Sequence, residues 1–168
     1  MKKILLVLSL FLALAVLAAC GAPKPKPIGN VGVKLKDDHQ AVQFYQNQLK
    51  DNPDSVVNLT NLGRAYYNLA DYDKAIDAFK HATNVETYPM AVFYLGLSHI
   101  AKGDLETGFD ILTNFRYTGN ADVTEAVRSE AKRLRNSGDV TTEAIAQAMF
   151  KAWDEGLQKD RVANTPKK

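Results

Sequence analysis

The chain has 168 residues, with 21 Lys and Arg against 19 Asp and Glu, and a single cysteine. This length fits one domain of ordinary size, and a lone cysteine excludes an intramolecular disulfide. If the first 19 residues are removed, Lys2 and Lys3 go with them and the formal charge becomes zero, which argues against nucleic-acid binding because that needs a surplus of cations.

The first 19 residues have the pattern of a secretory signal peptide. Lys2 and Lys3 form a basic start, and residues 4–16 are apolar except for Ser9. Small residues follow, as a cleavage site requires. A transmembrane anchor is the alternative, but the apolar stretch is short for a span of about 20 residues.

Residues 17–20, Leu-Ala-Ala-Cys, resemble the lipobox of bacterial lipoproteins. The resemblance implies that Cys20 becomes the new N-terminus and carries covalent diacylglyceryl and N-acyl chains such as palmitate. It leaves no free thiol for catalysis. Gly21 follows, where aspartate would favour retention in the inner membrane, so the resemblance implies an outer-membrane protein whose folded part faces the periplasm.

Residues 20–38 are predicted to be the lipidated cysteine followed by a flexible tether. The segment is rich in proline and glycine and carries four lysines, Lys24, Lys26, Lys34 and Lys36. Alternating Lys and Pro favours an extended, semi-rigid chain. A solvated linker is the preferred interpretation; contact of the lysines with anionic lipid headgroups is the alternative.

Beyond residue 38 the apolar residues recur with a helical period, and Gly, Pro, Asn and Asp cluster only between these stretches. No segment alternates with period two, so the prediction is an all-α domain over 39–158 with a disordered basic tail over 159–168. Pro89 is expected in a first helical turn, and Asp122 with Glu125 resembles a capping box. The seven predicted helices span 39–50, 55–69, 72–85, 89–101, 105–116, 122–135 and 141–158.

The middle of the chain contains a repeat. Residues of the first copy recur in the second at a constant offset, which is the separation between Leu59 and Val92. Its first copy resembles the tetratricopeptide repeat, in which small residues allow two helices to cross closely and large residues fill the remaining space. The resemblance implies a solenoid of helical hairpins with two recognisable repeats plus flanking helices, and a protein-binding role. The first copy places Leu59, Leu62, Gly63, Tyr66, Ala75, Phe79 and Ala82 at the positions that Val92, Leu95, Gly96, His99, Gly108, Leu112 and Phe115 occupy in the second.

The first helices of stacked repeats line a concave face. On that face the chain offers Arg64, Tyr67 and Asn68, and in the second repeat Phe93 and Leu97, as a candidate groove for an apolar peptide or helix. The alternative is that the second-repeat stripe of Met90, Phe93, Leu97 and Ile100 is core. In that case the helix at 141–158 covers it with Ile145, Met149, Phe150 and Trp153. This cap is the favoured interpretation.

No sequence feature indicates an enzyme. His39, His81 and His99 are scattered, and the chain lacks a glycine-rich phosphate loop and the motifs of zinc and serine hydrolases. Asp71 and Asp104 stand at the starts of second helices, where carboxylates favour the helix dipole, so we expect no metal, cofactor or small-molecule substrate.

These observations predict a membrane-anchored, non-enzymatic interaction module of a bacterial cell envelope. Its expected partners are other envelope proteins, bound through the groove, and the membrane, bound through the lipid. The chain resembles small tetratricopeptide lipoproteins that scaffold cell-wall enzymes or, as pilotins, assist pilus and secretion-pore assembly. A structural protein that associates only with itself is the alternative from another class.

Overall fold

The computed structural model describes residues 37–163, and predictions that fall on 1–36 and 164–168 lie outside the described residues, among them Cys20 and the signal and tether segments. The described part is all helical, which confirms the predicted fold class of a helical-hairpin solenoid similar to tetratricopeptide repeats. Its helices are α1 (Asp38–Asp51), α2 (Val56–Asn68), α3 (Tyr72–Val85), α4 (Pro89–Lys102), α5 (Leu105–Thr113), α6 (Ala121–Arg135) and α7 (Thr142–Ala163).

Equivalent aspartate side chains cap the N-terminus of the second helix in each of the two repeats. Asp71 accepts a hydrogen bond from the Lys74 backbone N–H at the start of α3, and Asp104 accepts one from the Thr107 N–H at the start of α5. The two caps are separated by the same offset as the packing residues of the two repeats. Pro89 is the first residue of α4, as predicted. Proline is tolerated there because the backbone N–H groups of a first helical turn have no carbonyl partner within the helix. The repeat therefore fixes helix boundaries as well as packing.

Two predicted helix ends are wrong by more than one residue, and one predicted capping motif is absent. Helix α5 ends at Thr113 rather than 116, because the Asn114 side chain binds the Asp110 carbonyl and Phe115 turns into the core. The N-cap of α6 is Asn120, which accepts from the Val123 N–H at 2.9 Å, so the predicted capping box does not form.

The second wrong boundary is the end of the last helix. Helix α7 continues through residues 159–163, which the sequence analysis assigned to a disordered tail. Lys159 forms an ion pair with Asp122 at 2.7 Å and so ties this extension to the first turn of α6. No helix-breaking residue precedes Pro166, so nothing in the sequence stops the helix earlier.

In the first hairpin, α2 and α3 cross where Gly63 faces Phe79. A methyl group placed on Gly63 would lie 2.6 Å from the Phe79 ring, so no larger residue fits without moving that ring. Phe79 and Ala75 are fully buried, and Leu62 and Tyr66 close the sides of the contact. The small residue thus lets the aromatic ring fill the crossing.

The second hairpin crosses even more closely. A Cβ on Gly96 would approach Leu112 to 2.6 Å, and one on Gly108 would approach the Gly96 carbonyl oxygen to 2.8 Å. Two facing glycines therefore bring the backbones of α4 and α5 together. His99 takes the place that Tyr66 has in the first repeat; it is buried, and its Nδ1 lies 3.0 Å from the Asp104 carboxylate.

The third hairpin, α6 and α7, does not repeat this arrangement. In the first two repeats the leading helices α2 and α4 contact each other, but among the described helices α4 contacts α7 and not α6. Gly156 permits close packing within the hairpin, since a Cβ there would lie 2.5 Å from the Val123 Cα. The trailing helix, rather than the leading one, therefore continues the inner face of the solenoid.

Helix α7 covers the second-repeat stripe, and the cap interpretation is confirmed. Phe93 and Leu97 are 1% exposed and Ile100 is fully buried. The Phe93 ring lies 4.8 Å from the Trp153 ring and 5.6 Å from the Phe150 ring, centroid to centroid. None of the helices between residues 37 and 163 has the length and apolar character that a membrane span requires.

The packing of the first hairpin can be tested by substitution. We expect Phe79→Ala to lower the free energy of unfolding by about 3–5 kcal/mol, because it leaves a cavity at a fully buried crossing. Lys80→Ala, at the adjacent exposed position, should change it by no more than about 0.5 kcal/mol. Urea unfolding followed by circular dichroism measures both, and equal stabilities would contradict the assigned crossing.

Candidate protein-interaction surface

Arg64 is an exposed side chain on α2, and it is held from two sides. Its guanidinium carbon lies 5.4 Å from the centroid of the Tyr94 ring on α4. Its Nη1 donates a hydrogen bond of 3.4 Å to the Asn61 side-chain oxygen, one turn earlier on α2. A cation over an aromatic face is attracted by the ring quadrupole, which favours this position of the guanidinium over a freely moving one.

Beside Arg64, the half-buried Tyr94 ring of α4 contacts one half-buried aromatic ring from each of two other helices. The Tyr94 ring lies 5.5 Å from Tyr67 of α2 and 5.5 Å from Phe150 of α7. Tyr94 also stacks on the Phe79 ring at 5.7 Å, which anchors it to the core of the first hairpin. We call this surface, formed by Arg64, Tyr67, Tyr94 and Phe150, the Arg64 face.

Burial raises the pKa of Tyr67 to about 12 from its ordinary value of 10.0. Burial is the largest cause of this rise; the neighbouring Tyr72 and Tyr94, and then the Glu143 carboxylate at the start of α7, contribute to the same rise. The phenol is therefore protonated over the whole physiological range. It offers the surface a neutral hydroxyl that can donate as well as accept.

Asn68, the third polar residue of the predicted groove, is exposed but engaged. Its side-chain Nδ2 donates a hydrogen bond of 3.0 Å to Asp38 at the start of α1. The structure thus gives Asn68 a role in joining α1 to the end of α2.

Phe93 and Leu97 do not line a groove, and this part of the prediction is corrected. Both lie in the main core, where α7 and α5 pack against α4. Their apolar character, which indicated a docking stripe, is explained by contact with the reversed third hairpin. The accessible part of the concave face is restricted to the first repeat and its border with α7.

The other candidate chemistry takes no part in this surface. His81 pairs with Asp54 at 2.9 Å and His99 with Asp104, and each links two parts of the helical stack. Within residues 37–163, no group of three or more His, Cys, Asp or Glu is placed to hold a metal ion. The arrangement described here is suited to binding another molecule through an aromatic surface with one cation at its edge.

Comparison with known protein families identifies the first hairpin. Residues 58–87, which span nearly all of α2 and α3, match the family model described as Tetratricopeptide repeat. The first hairpin is therefore similar to a tetratricopeptide repeat. Such repeats generally bind other proteins, and proteins built from them generally act as non-enzymatic scaffolds for protein interaction. Comparison with curated proteins and with solved structures gives no match.

Sequence reasoning missed Tyr94 as a residue of the Arg64 face. Its counterpart in the first repeat is Asn61, so the repeat pattern marks neither position as large or aromatic. Glu143 was missed because the approach of the start of α7 to α2 depends on the reversal of the third hairpin.

The raised pKa of Tyr67 predicts a loss of stability at alkaline pH. In the unfolded chain Tyr67 loses its proton near pH 10.0, whereas the folded chain holds it to about pH 12. Between these pH values the unfolded state binds fewer protons than the folded state. The ionisation of Tyr67 therefore makes the free energy of unfolding fall as pH rises. We expect Tyr67→Phe to reduce this fall, measured by urea unfolding at pH 8 and pH 11. The same decrease in both proteins would contradict the assigned environment of Tyr67.

Proposed function

We propose that the chain is a membrane-anchored, non-enzymatic lipoprotein that binds other proteins in a bacterial cell envelope, as an assembly factor or scaffold. The observation that supports this most directly is the tetratricopeptide repeat at 58–87. The Arg64 face, left uncovered beside it, supports the same role, since rigid aromatic side chains with one cation are frequent anchors of protein interfaces.

The proposed anchor is Cys20. Its support is the sequence alone: a basic start, an apolar stretch and the lipobox-like residues 17–20. Acyl chains contribute about 0.8 kcal/mol per buried CH₂, so several chains on one cysteine give a stable attachment. Gly21, in the position where aspartate favours the inner membrane, supports the outer membrane with the folded part in the periplasm.

Within this proposal, a scaffold or general assembly factor is favoured over a pilotin. Pilotin-type lipoproteins usually carry more full repeats than the two recognisable ones in this chain. A structural lipoprotein that only self-associates is the remaining alternative. It predicts a mass that rises with concentration when the purified protein is examined alone by light scattering, whereas an interaction module shows no such rise.

The lipid attachment can be tested by mass. We expect the chain extracted from its own membrane to begin at Cys20 and to carry added acyl mass on that residue. Cys20→Ser should leave an unprocessed precursor, because the lipid is attached to sulfur before cleavage. Intact-mass spectrometry distinguishes these products; a wild-type chain without added lipid at Cys20 would overturn the anchor.

The binding role can be tested by capture. Arg64→Glu combined with Tyr67→Ala changes the Arg64 face and spares Leu62, Gly63 and Tyr66, so the fold should persist. We expect the variant to lose the proteins that crosslinking captures with the wild type in the native envelope, with an unchanged circular dichroism spectrum.

Lys80→Glu is the matched control, because it reverses one exposed charge on α3 away from the Arg64 face. It should retain the captured proteins. Equal capture by the wild type and the double variant would contradict a role for this face.

A further inference from the structure

Arg64 is an exposed cation in an acidic part of the chain. Residues 37–163 contain all 19 Asp and Glu of the chain but 13 Lys and Arg, so the described part is acidic. Two other cations of the repeats are neutralised: Lys74 pairs with Asp71, and Lys102 with Asp73. Arg64 forms no ion pair within 37–163, although it lies in this acidic surrounding.

The position of Arg64 leaves its donors available. A guanidinium carries five N–H donors, and among residues 37–163 Arg64 donates one hydrogen bond, from Nη1 to Asn61. Tyr94 supports the group from one side, so less side-chain freedom is lost when a ligand binds. A supported guanidinium with unused donors is complementary to a carboxylate, which can accept two parallel hydrogen bonds.

The surroundings restrict where that carboxylate comes from. Tyr67, Tyr94 and Phe150 form an apolar surface directly beside the cation, which suits an apolar or aromatic side chain next to an acidic one. The Glu143 carboxylate contributes to the raised pKa of Tyr67, so it also disfavours a second negative charge of the ligand near Tyr67. A single cation on an open surface fits one acidic side chain within a longer segment better than a chain terminus, which needs further donors and an enclosing wall.

In the other exposed clefts the cation is already paired or carboxylates line the cleft with it: the cleft that contains Arg116 and Tyr117 is also lined by Glu125 and Asp160. In the apolar pocket between α5 and α7, lined by Leu105, Phe109 and Val140, the neighbouring Arg135 is already paired with Asp110 at 2.7 Å. In the groove between α6 and α7, Arg133 is paired with Glu130. Charge complementarity therefore selects the Arg64 face.

We propose that Arg64, supported by Tyr94, binds an Asp or Glu side chain of the partner protein, while Tyr67, Tyr94 and Phe150 receive an adjacent aromatic or apolar side chain. This inference rests on the proposed function, in that it assigns the chemistry of the segment that the Arg64 face binds.

The test compares two dipeptides that differ only in charge. N-acetyl-Glu-Phe-amide and N-acetyl-Gln-Phe-amide are titrated into the full chain in non-ionic detergent, and the NMR signals of the Arg64 Nε–H and the Tyr94 ring are followed. We expect the acidic dipeptide to bind about tenfold more tightly, as a charge-assisted hydrogen bond allows. Equal affinities, or no saturable shift with either, would overturn the inference.

Two variants test whether the preference for the acidic dipeptide comes from Arg64. Arg64→Gln should reduce the tenfold preference to less than about twofold, while Arg116→Gln, at another exposed arginine without an ion pair within the described range, should retain it. Circular dichroism verifies that both variants are folded. A preference that survives Arg64→Gln would place the acid elsewhere and contradict the inference.

A third probe tests the source of the carboxylate. N-acetyl-phenylalanine, whose carboxylate is terminal, should bind more weakly than the acidic dipeptide; tighter binding would overturn the choice of a side chain. Capture that depends on the Arg64 face without any preference for the acidic dipeptide would reject this inference alone. Capture that does not depend on the face would reject the proposed function as well.

Discussion

The close crossing of two helices within each hairpin is the constraint on which the rest of the structure depends. At Gly63 and at Gly96 there is no room for a Cβ, because Phe79 and Leu112 already occupy that space. The crossing fixes the angle between the helices of a hairpin, and its repetition in the second hairpin brings α2 and α4 side by side. Only then can a residue of α2, Arg64, rest on a ring of α4, Tyr94. Packing of glycine against large apolar side chains thus positions a polar surface.

Reversal of the third hairpin decides how much of the inner face remains open. Had α6 followed α4 as α4 follows α2, the stripe that contains Phe93 and Leu97 would face the groove. Instead α7 lies against α4, and Trp153 and Phe150 cover the stripe. The same helix contributes Phe150 to the Arg64 face and brings Glu143 near Tyr67. One helix therefore closes the second-repeat end of the solenoid and shapes the surface that stays accessible.

Sequence reasoning reached the fold because the repeat carries its own evidence: small and large apolar residues matched at a constant offset, and breakers between periodic stretches. It failed at helix ends and surface residues whose positions depend on tertiary contacts. The end of α5 depends on the turn of Phe115 into the core. At the end of α7 the ion pair of Lys159 with Asp122 adds to a sequence that already permits helix as far as Ala163. For the site, Arg64 and Tyr67 could be named because they lie on a predicted stripe. Tyr94 and Glu143 could not, since their proximity arises from helices that are distant in sequence.

Site-specific photocrosslinking in living cells tests the central claim, that proteins bind the Arg64 face, most directly. A photoreactive phenylalanine derivative replaces Tyr67 in one strain and Lys80, exposed on α3, in another. We expect irradiation to join a discrete protein to the chain when the probe stands at Tyr67 and not when it stands at Lys80. Adducts of the same protein from both positions, or from Lys80 alone, would contradict the assignment of the binding surface to the first repeat and its border with α7.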